Sequence, residues 1–353
     1  MPNSRILVDL QIPSEYAYQV LEAHFEKIND YKIVGYSKQK SSGVWGEQYY
    51  RSQMVENGDK KRDWDDIEQE YTVHFAMEFD RPIKNFGVWS DGPEKGNIDI
   101  STRNNVDQMT LILPEDVVGF VEFDTKDNQV VQTRTGISYV SIDNASLNLE
   151  EEIIKPFGWS LAKVRENQEM TWNNLFNRIK VSSNNHLEKT RFYSNMYRAL
   201  VSRNIYSDVD GSWIDANENV QKFTNSNDVA LGCDAFWNTF WNLNQFWNLI
   251  TPEWSSKWVK SQLAMYDANG WLAKGPAGME YIPVMVAEHE IPLIVGAYQM
   301  GIKDFDAEKA FQAVYKMQTT KGEQVGGGYA GNRDLEAYLK YKYVPYNKGR
   351  FSN

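Results

Sequence analysis

Tyr71-Thr-Val-His-Phe-Ala-Met-Glu-Phe79 decides the reading of the first part of the chain. Tyr71, Val73, Phe75, Met77 and Phe79 alternate with Thr72, His74, Glu78 and the following Asp80. Successive side chains of a strand point to opposite faces, so this period of two predicts a strand with one apolar face. Further strand-like runs at residues 31–37, 44–54, 86–90, 109–113, 117–124 and 130–142 are divided by turns containing Asp, Asn, Gly and Pro. Many short strands with no helix between them predict an antiparallel β-sandwich domain over residues 1–142.

The period then changes. Leu161, Val164, Gln168, Trp172, Leu175 and Ile179 fall three and four apart, the spacing of one helical stripe. Before them, Asp143 or Asn144 can cap a short helix bearing Glu150, Glu151 and Glu152, acids that read as a solvated face. Residues 143–185 thus form a helical linker between two domains. From His186 onward, helices predominate, with stripes at Phe192, Met196 and Leu200; at Trp237, Trp241, Asn244 and Trp247; and from Trp254 and Trp258 to Tyr266. Pro292 opens a helix with Ile294 and Tyr298 on its apolar side and Gly301 as its stop. Asp304 or Asp306 caps the next, with Ala310, Phe311, Val314, Tyr315 and Gln318, and Asn332 or Asp334 caps the last, with Leu335, Tyr338 and Leu339. Stacked helical hairpins over residues 186–353 suggest the first half of a toroid, since a six-hairpin toroid needs about twelve helices and about half that number can be read here.

A chain of 353 residues exceeds one core, so two domains are expected. The net charge of −11, with no basic cluster, argues against nucleic acid and anionic lipid as partners. One cysteine, Cys233, excludes an intrachain disulfide framework and reads as a small buried residue. Four histidines without a Cys/His cluster argue against structural zinc. The sequence has no apolar run long enough for a membrane span and no export signal in its first residues. Aromatic residues make up 14 %, and tryptophan is densest between Trp213 and Trp271. Such rings stack on sugar C–H faces, but helical spacing assigns most of these to cores.

Two loops draw attention as chemistry. Asp208, Asp210 and Asp215 lie in a segment that begins like an oxygen-ligand calcium loop, yet Glu218 comes one residue early, which favours a simple turn. Glu288, His289 and Glu290 precede a helix, whose positive end stabilises an ionised carboxylate and so favours a base or a sugar-hydroxyl ligand over a proton donor. Plain charge placement at a helix start is the competing reading. The chain has no Gly-x-Ser-x-Gly elbow and no phosphate-binding glycine motif; Gly326-Gly327-Gly328 reads as a loop.

Gly136-Ile-Ser-Tyr-Val-Ser-Ile142 and Asn148-Leu-Glu-Glu-Glu-Ile153 resemble glycoside hydrolase family ninety-two, the calcium-dependent exo-acting α-mannosidases. The likeness continues through Trp172-Asn-Asn-Leu-Phe-Asn-Arg-Ile179, Arg191-Phe-Tyr-Ser-Asn-Met-Tyr-Arg198, Asp208-Val-Asp-Gly211, Trp237-Asn-Thr-Phe-Trp241, Gly270-Trp-Leu272, Ala297-Tyr-Gln-Met-Gly-Ile302 and Phe305-Asp306. These motifs are specific only as a set. The resemblance implies a β-sandwich packed on an (α/α) six-hairpin toroid, a mannose pocket between them, inversion at the anomeric carbon, calcium as cofactor and a secreted or periplasmic enzyme. It also implies that this chain is an internal fragment, with the catalytic Glu and Asp and most calcium ligands beyond Asn353. Where the family has Trp-Asp-Thr-Phe-Arg, this chain has Trp237-Asn238-Thr239-Phe240-Trp241. An amide and an indole replace a charged pair, which removes charge-assisted hydrogen bonds and leaves a ring able to stack.

The expectation is therefore a glycosidase fragment that binds a glycan and is inactive alone, with no catalytic and no metal-ligating residue of its own. Its substrate-binding candidates are Trp237, Asn238, Trp241, Glu288, His289 and Glu290. The competing expectation is a non-catalytic glycan-binding or scaffold protein derived from the same family.

Overall fold

The computed structural model describes residues 4–10, 18–42, 68–89, 107–112, 118–126, 129–201, 204–232, 236, 238–274, 276–277, 280–281, 288–325, 328–332 and 334–345. They form two compact units: one built from segments up to Leu161 together with Asp208–Ser212, the other from residues 162–207 and the segments from Trp213 onward. The expected strand at 44–54, Cys233, Trp237, Gly326 and Gly327 lie outside the described residues.

The first unit contains β1 (Ser4–Asp9), β2 (Tyr18–Asn29), β3 (Lys32–Ser42), β4 (Glu68–Phe79), β5 (Asn85–Trp89), β6 (Gln108–Ile112), β7 (Val118–Phe123) and β8 (Thr133–Ser138). They pair antiparallel in a five-stranded sheet of order β6-β2-β3-β4-β8 and a three-stranded sheet of order β1-β7-β5. Phe25, Ile33, Phe75 and Phe79 of the larger sheet and Phe86, Val121 and Phe123 of the smaller share one core, which makes the unit a two-layer sandwich. The alternation quoted first holds: Phe75, Met77 and Phe79 face this core. Ala76, on the opposite face, is buried with Val34, Ala145 and Leu149. Strand β2 carries no clear alternation in the sequence because register shifts at Val20/Glu22 and Lys27/Asn29 break its period.

The larger sheet is covered on its second face by α1 (Ile142–Leu149). Gly136 makes this possible, since a Cβ there would lie 2.3 Å from the Ala145 carbonyl and 2.7 Å from Leu149 Cβ. The cap of α1 is Ser141, whose Oγ accepts from the Asn144 amide at 3.0 Å; Asp143 and Asn144 lie inside the helix. Glu150–Ile154 continues it as a π-helix. The segment read as a linker is thus divided: its first part packs on β4 and β8, and the units part after Leu161.

The second unit holds α2 (Leu161–Phe176), α3 (His186–Leu200), α4 (Leu243–Ile250), α5 (Pro252–Asn269), α6 (Glu290–Gln299), α7 (Ala307–Thr319) and α8 (Leu335–Tyr341). Their ends follow the sequence signals. Asn185 caps α3, Pro252 opens α5, Gly270 closes it at φ 76°, and Asp306 caps α7 through the Lys309 amide at 2.9 Å. Three stripes differ from expectation. Helix α2 buries none of its residues, and Trp172 packs on Phe176 and Tyr197 instead. On α7 the buried set is Ala310, Ala313 and Met317, with Phe311 and Tyr315 exposed. The helix expected from Trp237 through Trp247 begins only at Leu243, because Asn238 adopts φ 63° and Asn242 φ −157°. Short hairpins also interrupt the helices, among them Glu323–Val325 paired with Gly328–Ala330.

Candidate functional site

Asn238 is one of three residues other than glycine with positive φ among those described, a conformation that Asn tolerates better than most residues. The turn it starts is fixed by its neighbours: Thr239 donates from its amide (3.1 Å) and its hydroxyl (3.0 Å) to the Phe236 carbonyl, and the Trp241 amide donates to the Asn238 carbonyl at 3.2 Å. Thr239–Trp241 then forms a single 3-10 turn. This buries Thr239 and leaves the Trp241 indole 69 % exposed, edge-on to Phe240. Phe240 stacks face to face on His289, with ring centroids 5.2 Å apart and planes 13° from parallel. Of the two blocks singled out in the sequence, residues 238–241 and 288–290 are therefore neighbours. Trp237 itself lies outside the described residues.

Behind this surface sits a buried charge group. Lys274, 1 % exposed, pairs with Glu288 at 2.7 Å. Glu290, the first residue of α6, is fully buried, and neither carboxyl oxygen has a hydrogen-bond partner among the described residues. Burial pushes its carboxyl up to about 8; the Lys274 charge and the nearby backbone N–H of Glu290 itself oppose this, and the Glu288 charge adds to it. This corrects the expectation of an ionised carboxylate at a helix start. A helix terminus contributes about 0.3–1 kcal/mol in exposed geometry, whereas burying an ion costs several kcal/mol, so desolvation wins. The His289 imidazole is lowered by burial and by Lys274, against the pull of Glu288. It is therefore neutral at pH 7 and suited to stacking on Phe240.

Sequence reasoning missed three further polar side chains on the adjoining helices. Asn244 of α4 is buried with neither amide atom bonded, Trp258 Nε1 of α5 is likewise unpartnered, and Gln262 Nε2 has no acceptor although its Oε1 accepts from the Ala273 amide at 2.9 Å. Asn244 and Trp258 were read only as members of apolar stripes. The available signal was polar atoms recurring on buried stripes of neighbouring helices.

The acids of the other loop are engaged differently. Asp208 accepts from Ser138 Oγ at 2.8 Å and Asn148 Nδ2 at 2.6 Å; Asp210 accepts from Asn144 Nδ2 at 3.2 Å and Ser212 Oγ at 3.0 Å. Gly211, at φ 85°, closes a turn whose amide donates to the Asp208 carbonyl at 2.9 Å. Asp215 accepts from the amides of Asn217 and Asn219 and from Gln221. N–H and O–H donors surround these carboxylates, which fits a turn and not a cation loop. Among the described residues, no group of three or more His, Cys, Asp or Glu side chains could hold a metal ion, and no helix is long and apolar enough to cross a membrane.

Residues 144–353 match the glycosyl hydrolase family 92 catalytic domain, and residues 2–138 match the glycosyl hydrolase family 92 N-terminal domain. No curated protein matches the chain. Among solved structures, a family GH92 α-mannosidase from Bacteroides thetaiotaomicron aligns with a TM-score of 0.72 at 22 % identity, over 99 % of this chain and 41 % of that one. The same enzyme in complex with mannoimidazole aligns with a TM-score of 0.70 at 21 % identity, over 99 % and 41 %. A GH92 inverting mannosidase from the same organism gives 0.72 at 19 %, over 98 % and 40 %. At these identities the likeness is one of fold: a β-sheet domain followed by a helical domain. The chain spans about two fifths of the length of these structures.

Proposed function

Because the chain belongs to glycosyl hydrolase family 92, a family of glycosidases, we propose that it forms part of an exo-acting, inverting α-mannosidase-like enzyme and lines the seat of a terminal α-linked mannose or a related sugar. The observation that carries this reading is the Phe240–His289 stack. It sets the exposed Trp241 indole and the half-buried Asn238 amide beside the start of α6. A free indole face suits the C–H face of a sugar, and an amide can both donate to and accept from its hydroxyls. With Trp237, Glu288, His289 and Glu290, these residues form the proposed sugar-facing set.

The complete enzyme, on this reading, acts outside the cytoplasm and uses calcium. The acids of the two loops do not fit that ion: Asp208, Asp210 and Asp215 are held by N–H and O–H donors, and Glu288 by Lys274. Glycoside hydrolysis needs two carboxyl groups with different protonation, and Glu288 is ion-paired, which leaves Glu290 as the one unengaged acid at the seat among the described residues. That supports a chain inactive alone, and equally a second reading in which the protein binds glycans without cleaving them.

Titration calorimetry with methyl α-mannoside tests the seat: Trp241→Ala should weaken binding by about tenfold with unchanged melting. Unchanged binding, or no binding by the parent protein, removes the reading. Mannose release from α-mannosides with added calcium separates the enzyme from the binder.

A further inference from the structure

Among the described residues, Lys274 is the only buried lysine or arginine. The backbone that carries it is fixed from three elements. The Gly270 carbonyl accepts from Lys316 Nζ of α7 at 2.7 Å, Trp271 Nε1 donates to Glu323 Oε1 at 2.6 Å, and the Ala273 amide donates to Gln262 Oε1 of α5 at 2.9 Å. Trp271, Leu272 and Ala273 are buried, so the segment following α5 is a firm base from which the lysine side chain extends. Its ammonium reaches Glu288 Oε1 at 2.7 Å. Of this pair, the Glu288 side chain keeps 17 % of its surface and the lysine 1 %. A ligand that reaches the pair therefore meets the carboxylate and not the ammonium.

Glu288 stands where α6 begins. Its carbonyl accepts the Ile291 amide at 3.2 Å, His289 caps the helix without a side-chain bond, and both Glu290 carboxyl oxygens are unpartnered among the described residues. A helix start leaves orphan N–H groups that a capping side chain commonly ties down. At this start the side-chain hydrogen bond among the described residues is instead the one from Lys274 to Glu288. The next residue, His289, carries the ring on which Phe240 stacks, and Phe240 lies edge-on to Trp241 with ring centroids 6.1 Å apart. One series of contacts thus runs from the fixed segment through the ion pair and the stack to the displayed indole. Energetics favour a positioning role for the pair. Burying two charges costs desolvation and side-chain entropy, and apolar residues of similar volume commonly serve stability as well or better. What the charged pair adds is a defined direction for the carboxylate.

We propose that Lys274 is a positioning residue of the sugar seat: it sets the direction of the Glu288 carboxylate and, through the start of α6, the place of the Phe240–His289 stack beside Asn238 and Trp241. The inference rests on the sugar-seat reading above and adds to it the residue that orients the seat. Lys274 acts through Glu288 and does not itself touch the sugar.

The test joins calorimetric titration with methyl α-mannoside to proton NMR of the histidine rings, on the parent chain, Lys274→Met, Glu288→Gln and the double variant, each first shown to melt cooperatively. Each single variant should bind about tenfold more weakly, and the double variant should stay within about twofold of the weaker-binding single. The chain has four histidines, so the His289 ring signal is assignable through His289→Gln. Stacked on Phe240, that ring carries a ring-current shift, which should diminish in Lys274→Met while the signals of His24, His74 and His186 keep their places. Lys274→Gln, which retains an N–H donor to Glu288, should recover part of the affinity, and it takes the place of Lys274→Met in the cycle if that variant does not fold. Losses that multiply in the double variant, or an unmoved His289 signal, overturn the inference. If the parent binds the sugar and Lys274→Met binds it equally well, the seat stands and only the role of Lys274 fails; if the parent binds no sugar, both fail.

Discussion

Asp208 and Glu290 are both buried acids whose carboxyls are pushed up by desolvation, yet their surroundings are opposite. Asp208 sits in the first unit between Ser138 and Asn148, and Asn148 in turn donates to the Ile137 carbonyl and accepts from the Val209 amide. That network joins the turn at residues 208–212 to β8 and α1. Glu290 sits in the second unit with no hydrogen-bond partner among the described residues, beside a lysine already paired with Glu288. The difference teaches that burial alone does not reveal what an acid is for. An acid whose oxygens are occupied holds the fold together; one whose oxygens are unoccupied weakens the fold and is available to a ligand.

Substitution should give opposite signs at the two acids. Asp208→Ala removes the buried acceptor of one Asn148 N–H and of the Ser138 O–H, and should lower unfolding free energy by about 3 kcal/mol in denaturant melts. A loss below about 0.5 kcal/mol would break the comparison from the first unit's side. Glu290→Met removes an unpartnered polar group and should be neutral or stabilising, by up to about 1–2 kcal/mol at pH 8. A loss of similar size to that of Asp208→Ala would mean that Glu290 is structural after all.

Proton linkage sharpens the contrast. The Glu290 carboxyl rises from 4.5 to about 8 on folding, so between those values the folded state keeps a proton that the unfolded chain has lost. Its stabilising contribution is complete below pH 4.5 and is lost as pH rises through about 8. The parent should therefore lose melting temperature relative to Glu290→Met across that window, and parallel curves would refute the assignment. His289, lowered by burial, acts in the other sense: its contribution is lost as pH falls below about 6.5. The smallest effect belongs to Trp241→Ala. With the indole 69 % exposed, stability should change by less than about 0.5 kcal/mol, and a larger loss would show that the ring is packing instead of displayed.

Much of the fold was legible in the sequence because local rules decide it. Alternation in residues 71–79 gave β4, and Gly301 and the choice of Asp304 or Asp306 marked helix ends that do not depend on distant contacts. Legibility failed where geometry interrupts a period. The register shifts in β2 hid that strand, and the left-handed Asn238 broke a stripe that looked continuous through Trp247. On α2 and α7 the apolar stripe was visible, but the face that would be buried was not, since a stripe states that a helix wants a partner without stating where the partner lies.

The site shows the same division. Residue types and motif order determined the family, the choice of Asn238, Trp241 and residues 288–290 as candidates, and the turn at Asp208 to Gly211. Only the tertiary structure decided that Phe240 stacks on His289, that Lys274 pairs with Glu288, that Glu290 lies fully buried, and that Trp258 and Gln262 are buried on another helix with unpartnered nitrogens. The physical reason is that burial and hydrogen-bond satisfaction depend on which distant segments pack together. The helix-start rule at Glu290 was sound locally and was overridden by desolvation, a property of the surroundings that no single stretch of sequence contains.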